Sequence, residues 1–419
     1  MTGPGSNAPV EIDVEIDGAT LHVGTLWISQ RGPSSASFAY TADYLQHPRA
    51  YPLESALPLR AGQFHTGPGR TMFNAFGDST PDRWGQNLMR REERERAAVT
   101  GGTPRTLRAS DFLLGVRDPV RQGAIRFRDA SGEYLSSAPT SVPRLIEMGH
   151  LLSAVDRYSS DQGAAPRDIR DLVAAGGSLG GARPKAAVIT QDHRLAIAKF
   201  PRKGSDDWDV IGWEGVELEL AARAGINVAR WQMLQILGRN VLVVDRFDRN
   251  ADSGARIGFA SALTMLDAVE REQRSYLEIG EVIRTVNSSP QSDLRQLFRR
   301  IVFSILTGNT DDHLRNHGFL RTRTGWELAP AYDMNPAPEQ PDRLSLTVDL
   351  YDDTASIETA LSVCGDFEYT LEEARGVCRQ VETATRGWAH LASQRGLSSE
   401  VSLMSAAYDN RQRTVARTL

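Results

Sequence analysis

The stretch TGNTDDHLRNHGFL, residues 307–320, sets two adjacent carboxylates, Asp311 and Asp312, just ahead of His313, Asn316 and His317. Asp311 and Asn316 stand five positions apart. At that spacing one group can orient and deprotonate an attacking hydroxyl while the other reaches back toward a divalent cation, a division of labour that suits phosphoryl transfer. Asp312 is the rival base, but it breaks the five-residue interval. His313 and His317, four apart, would share a helix face and could hold zinc if a helix continued through them. Gly308 says that the helix has already ended, which leaves His313 to order the loop and His317 to begin a strand. Next, HGFLRTRTGWELAPAYDM reads as strand, turn at Thr324-Gly325, strand, and delivers a further carboxylate, Asp333, as a second cation ligand.

Other elements must bring a nucleotide to these groups. GGSLGG, residues 176–181, precedes the strand pattern KAAVI; its glycines let backbone N–H groups turn toward phosphate oxygens without a Cβ in the way. The spacing mimics a Walker A loop, yet Ala182 and Arg183 stand where that motif needs Lys and Ser or Thr, so a P-loop NTPase is disfavoured. In LAIAKF, strand alternation places Leu195, Ile197 and Lys199 on one face, and a lysine at the end of an apolar face either snorkels outward or meets an anion. The helix pattern over residues 209–226 follows, with Glu214 and Glu217 both open as partners of Lys199. Glycine loop, strand lysine and helix glutamate come in the order that kinases use. Before Asp311, however, Asn309-Thr310 replace the usual His-Arg, and Met334-Asn335 replace Phe-Gly after Asp333.

Around this set, VEIDVEIDGATLHVGTLWIS (10–29) predicts a β-hairpin turning at Asp17-Gly18, and residues 40–59 read as extended loop. Residues 79–97 predict a helix whose mixed charges form a solvated face. RWQMLQILGRNVLVVDRFDR (230–249) reads as two strands joined at Gly238. The helix pattern in DLRQLFRRIVFSILTGN repeats Leu294, Leu297, Phe298, Ile301, Val302, Ile305 and Leu306 on one face. Two helical stretches, 371–393 and 398–417, close the chain.

At 419 residues, with 48 basic and 53 acidic side chains and a net charge of −5, the chain is too long for one ordinary core and is not a basic nucleic-acid coat. Two cysteines, Cys364 and Cys378, exclude a disulfide framework and point to a reducing cytosol. No leader pattern and no run near the roughly 18 apolar residues of a membrane span is present. The expectation is a cytoplasmic protein without a membrane partner.

GGSLGGARPKAAV, AIAKF, VVDRFDR, NTDDHLRNHGFL and LAPAYDM, in that order, resemble the HipA family of bacterial serine/threonine kinases, the toxins of type II toxin–antitoxin pairs. SFAYTADYL, PLESALPL and STPDRWGQNLM resemble its first subdomain. The resemblance implies an α+β, bilobal protein-kinase-like fold: an N-terminal subdomain over 1–135, a β-rich lobe over 136–248 and a helical lobe over 249–419. It implies Asp311 as base and Asn316 and Asp333 for Mg²⁺. For ATP it implies Ser178, Leu179, Gly180 and Gly181, Lys199 at the phosphates, the hinge Asp245, Arg246 and Phe247 at adenine, and His313 and Asn316 in the loop. Ser178 falls where the family autophosphorylates. Further implied are a translation-linked protein substrate such as an aminoacyl-tRNA synthetase, a helix-turn-helix antitoxin, and DNA contact only through that antitoxin. Two alternatives stand beside this reading: a small-molecule phosphotransferase of aminoglycoside-kinase type, and a non-enzymatic co-repressor scaffold.

Overall fold

The computed structural model describes residues 9–29, 34–135, 142–160, 165–176, 183–204, 206–339 and 342–419. The fold is α+β with antiparallel strand pairing. It divides into two compact units, one of residues 1–205, 236–238 and 245–260, the other of residues 206–235, 239–244 and 261–419. Among the described residues no helix is long and apolar enough to cross a membrane.

In the first unit the opening hairpin forms as expected. β1 (Val10–Ile16) pairs with β2 (Ala19–Ser29) from Val10↔Leu26 to Ile16↔Ala19. Asp17 and Gly18 turn with φ of 52° and 79°, the double positive φ of the turn type that matches strand twist. β3 (Ser35–Tyr40), β4 (Gln63–His65) and β5 (Ile125–Arg128) complete a sheet of order β4-β3-β2-β1-β5. The stretch expected as plain loop after β3 contains a short helix, Ala42–Gln46. Tertiary contacts decide this: the Tyr44 ring stacks on Tyr40 at 5.7 Å and its hydroxyl donates to the Tyr51 carbonyl at 3.0 Å.

Helix Arg83–Thr100 starts at Asp82, whose Oδ1 accepts the Gly85 N–H at 2.7 Å. Its charged face is less solvated than the sequence suggests. Glu93 is buried, and although burial alone would raise its pKa, hydrogen bonds from Arg96 and Arg105 hold it down to about 2. The second oxygen of Asp82 takes the buried Lys185 Nζ at 2.8 Å, which ties the helix start to β6 (Lys185–Ile189). β6 pairs with β7 (Leu195–Lys199) in the register Ala187↔Ile197.

The second unit begins with helix Val210–Arg223, buried over nearly its whole length. β8 (Trp231–Ile236) and β9 (Arg239–Asp245) follow, joined through Leu237-Gly238 at φ of 50° and 75°. After β10 (Phe259–Ser261) come helices Tyr276–Val286 and Pro290–Thr307. The seven apolar positions singled out on the latter are all buried. Gly308 ends that helix at φ 69°, and a Cβ there would lie 2.9 Å from the Ala407 Cβ. Left-handed backbone and lack of room both demand glycine. β11 (Gly318–Arg321) and β12 (Trp326–Leu328) form the expected hairpin with Phe319 opposite Leu328. The two closing helical stretches each break in two, giving Leu371–Thr385, Trp388–Gln394, Val401–Tyr408 and Arg411–Thr418. Asn410 makes the last break: its Oδ1 caps Arg413 N at 3.2 Å while its Nδ2 donates to the Ile305 carbonyl at 2.9 Å.

Candidate active site

The helical unit sorts the two neighbouring aspartates into different roles. Asp312 is buried; Tyr276 donates its hydroxyl to Oδ2 at 2.7 Å, and the His317 Nε2 lies 3.1 Å from Oδ1. Burial would raise its pKa, but His317 and Tyr276 together hold it below the usual carboxylate range. Asp312 is therefore an anchor, ionised and already partnered, while Asp311 beside it is exposed. His317 sits edge-on to the Tyr276 ring at 5.7 Å, buried at the start of β11, whereas His313 is exposed. One histidine buried and its neighbour in solvent do not suit a shared zinc, and no cluster of three or more His, Cys, Asp or Glu able to hold a metal occurs among the described residues.

Between the two proposed chemical groups the backbone tightens. The His313 N–H donates to the Asp311 carbonyl at 3.0 Å, the Asn316 N–H to the His313 carbonyl at 2.8 Å, and Leu314–Asn316 makes one 3₁₀ turn. Asn316 Nδ2 then donates back to the Asp311 carbonyl at 3.0 Å. With its nitrogen fixed in this way, the amide leaves oxygen as the ligating atom.

Asp333 is held at φ 58°, a left-handed conformation that Asp tolerates better than most residues but that still has a cost. Its flanks explain how the strain is sustained. Tyr332 donates its hydroxyl to the Arg315 carbonyl at 2.6 Å, and the Asn335 N–H donates to Asn309 Oδ1 at 3.3 Å. The segments bearing Asp311 and Asp333 are thus stitched together on both sides. Asn309, which stands where kinases usually have His, is one of the stitches, also bonding Ser304 Oγ at 3.2 Å. Sequence reasoning noted Asn309 only as a departure, and passed over Tyr276 and Tyr332 entirely. Their one signal was a tyrosine adjoining a polar motif, too common to weigh.

Of the two glutamates on helix Val210–Arg223, Glu217 is already committed within its own unit. Its carboxyl is fully buried, takes the Tyr408 hydroxyl on one oxygen, and accepts from Thr307 Oγ1 on the other at 3.0 Å. Burial pushes it up to about 8, against the smaller opposing effects of those hydrogen bonds. Glu214, one turn earlier, is also buried. Glu217→Gln tests the assignment through linkage. A carboxyl at about 8 folded and 4.5 unfolded keeps a proton that the unfolded chain has lost, so stability falls as pH rises between those values. The slope is about 1.4 kcal/mol per pH unit for one proton. The glutamine protein should lack this slope, so its thermal-melting advantage should widen from pH 5 to 8 and then level off. Parallel melting curves across that range would refute the buried acid.

In the first unit the alternation along β7 is as expected: Leu195, Ile197 and Lys199 share one half-buried face, while Ala196 and Ala198 face the core. Lys199 lies directly opposite Lys185, whose charge Asp82 neutralises. At the end of β9, Asp245 pairs with Arg194 at 2.9 Å, and just beyond it the Arg246 N–H donates to the Leu195 carbonyl at 3.0 Å. Within the expected hinge 245–247, the Arg246 side chain turns inward to Asp248 and to the Val120 and Arg121 carbonyls at 3.0 and 3.2 Å. Phe247 meets Phe259 at 6.2 Å. Ser178, Leu179, Gly180 and Gly181 lie outside the described residues.

A β-rich unit with a strand lysine after a glycine stretch, and a helical unit with an Asp-x-x-x-x-N loop followed by a hairpin and a further Asp, define the kinase class of fold. Residues 13–104 match the HipA N-terminal domain and residues 177–388 the HipA-like C-terminal domain. The chain belongs to the HipA family. It is 25% identical over 332 residues to Y4mE of Sinorhizobium fredii, 73% of each chain. Over 180 residues it is 24% identical to the serine/threonine-protein kinase toxin HipA of Shewanella oneidensis, 37% of each chain. A structure of Shewanella oneidensis MR-1 HipA with HipB and operator DNA has the same fold, with a TM-score of 0.66, 16% identity, and coverage of 97% of this chain and 96% of that one.

Proposed function

We propose that this chain transfers the γ-phosphoryl group of ATP to a serine or threonine hydroxyl of a protein, and that it acts as the growth-inhibiting toxin of a toxin–antitoxin pair. The observation that carries the chemistry is the separation of Asp311 from Asp312: one carboxylate stays exposed on a loop that the other, buried and ionised, holds in place. Asp311 would accept the proton of the attacking hydroxyl, with its position fixed by the Asn316 and His313 bonds to its own carbonyl. Asn316 and Asp333 offer oxygen donors only, the hard set that suits Mg²⁺, and the ion would neutralise charge on the transferred phosphate. Lys199 is assigned to the phosphates, Glu214 is taken as the helix glutamate of the kinase order, and the backbone of 245–247 is assigned to adenine.

The partner reading rests on the HipA fold and on the HipB and operator DNA bound to the Shewanella protein. A net charge of −5 supports DNA contact through a helix-turn-helix antitoxin rather than directly. The protein substrate would be translation-linked, an aminoacyl-tRNA synthetase being the class the family suggests. Incubation of the purified chain with γ-labelled ATP and Mg²⁺, alone and with bacterial lysate, tests this directly. Label on Ser178 and on a lysate protein is expected. ATP consumption on an aminoglycoside with no labelled protein would favour the small-molecule alternative, and no transfer to any acceptor would favour a scaffold.

A further inference from the structure

Helix Val210–Arg223, which presents Glu214, is gripped along its length by the C-terminal helices of its own unit. At its start, Glu400 accepts the Asp209 backbone N–H with both carboxylate oxygens, each at 3.1 Å, and the Trp213 Nε1–H with Oε2 at 2.7 Å. One turn on, the Trp213 ring lies against Trp388 at 6.1 Å and Tyr408 at 5.8 Å, and those two stack on each other at 4.6 Å. A further turn on, Tyr408 donates to Glu217, and Arg395 meets Glu219 beyond it.

These contacts differ in kind. The aromatic stack and Glu217 are deeply buried and hold the helix in the core. Glu400 is half-exposed and adds no apolar burial, so its contribution is directional. A carboxylate accepting N–H groups at a helix N-terminus is favoured by charge and by the helix dipole. Without it the Asp209 N–H and the Trp213 indole N–H lose their acceptor, and the first turn can rock about the buried stack. Glu214 is the next residue after Trp213 and would move with it.

We propose that Glu400 is a positioning residue for phosphoryl transfer, setting through Asp209 and Trp213 the helix turn that presents Glu214. This rests on the kinase reading and on Glu214 as its helix glutamate. Displacement by about 1 Å of a positioning group can cost about a hundredfold in rate.

The test uses the full chain, comparing wild type with Glu400→Ala, Glu400→Gln and Trp213→Phe by Mg²⁺-ATP turnover, KM for ATP and thermal melting. Glu400→Ala should lower kcat/KM for ATP by about ten- to a hundredfold while still melting cooperatively. Glu400→Gln keeps one oxygen acceptor and should recover most of the loss. Trp213→Phe keeps a ring in the stack but has no N–H to donate, and should fall in the same direction; combined with Glu400→Ala it should cost little more than Glu400→Ala alone. Wild-type kinetics in Glu400→Ala, or a loss that disappears when the assay is run far below its melting temperature, would overturn the proposal and leave the kinase reading intact. A wild-type chain that turns over no ATP would overturn both.

Discussion

Asp311→Asn protein should bind nucleotide as the wild type does and transfer phosphate about 10²- to 10⁴-fold more slowly, the range expected when a positioned base is removed. The side chain is exposed, and the loop is held by the backbone carbonyl of Asp311 rather than by its carboxylate, so stability should change little. Asp312→Asn should fail differently. Its carboxylate accepts from Tyr276 and lies beside His317 in a buried site, and the amide would remove the charge beside His317 and could bring an N–H₂ against the Tyr276 hydroxyl that now donates to it. A fall in melting temperature should accompany any loss of activity there. Single-turnover phosphorylation, nucleotide calorimetry and thermal melting on both proteins separate the two. Near-normal turnover in Asp311→Asn, with Asp312→Asn inactive but equally stable, would reverse the assignment.

Asp248→Ala should destabilise the first unit by about 3–5 kcal/mol, the penalty for stranding buried partners of a charge. Asp248 is fully enclosed, pairs with Arg246 and Arg249, the latter at 2.9 Å, and accepts the Gly123 N–H at 2.7 Å. Burial would raise its pKa, yet the two guanidiniums hold it far below the usual range. Removing it leaves two arginines without their carboxylate and an amide without its acceptor. Against a total stability of about 5–15 kcal/mol, such a loss is large. The pH dependence has a definite sign. Since the folded pKa lies below the ordinary value of about 3.9, this stabilisation is complete above that value and drains away as pH falls below it. Wild type should therefore lose stability in acid more steeply than the alanine protein. Urea unfolding between pH 3 and 7 checks both effects, and a loss under about 1 kcal/mol would show that the cluster is replaceable.

The same cluster marks where sequence reading stops. VVDRFDR carried a resemblance to a nucleotide-binding hinge, and nothing in its spacing told Arg246 from Phe247. The structure turns the Arg246 guanidinium into a site completed by carbonyls of Val120 and Arg121, more than a hundred residues away. A nearby network of Arg256, Arg126 and Asp118 is likewise invisible along the chain. Side-chain direction at a strand exit depends on what packs beneath it, and that is non-local.

Local order was largely legible. Asp17-Gly18, Gly238 and Gly308 are positions where positive φ is demanded, so hairpins and a helix end could be read directly. The apolar face of Pro290–Thr307 has a single period and a single explanation. The tight loop from Asp311 to Asn316 and the hairpin leading to Asp333 followed from spacing because so few residues leave little freedom between them. What only the tertiary structure decided is which of two like residues is committed to a buried partner. Asp312 is set apart from Asp311 by Tyr276 and His317, and Glu217 from Glu214 by Tyr408 and Thr307. In each pair the sequence offers two identical carboxylates within a turn or less of one another. Burial against a distant hydroxyl commits one of them, and that partner comes from a segment whose position the order of residues does not specify.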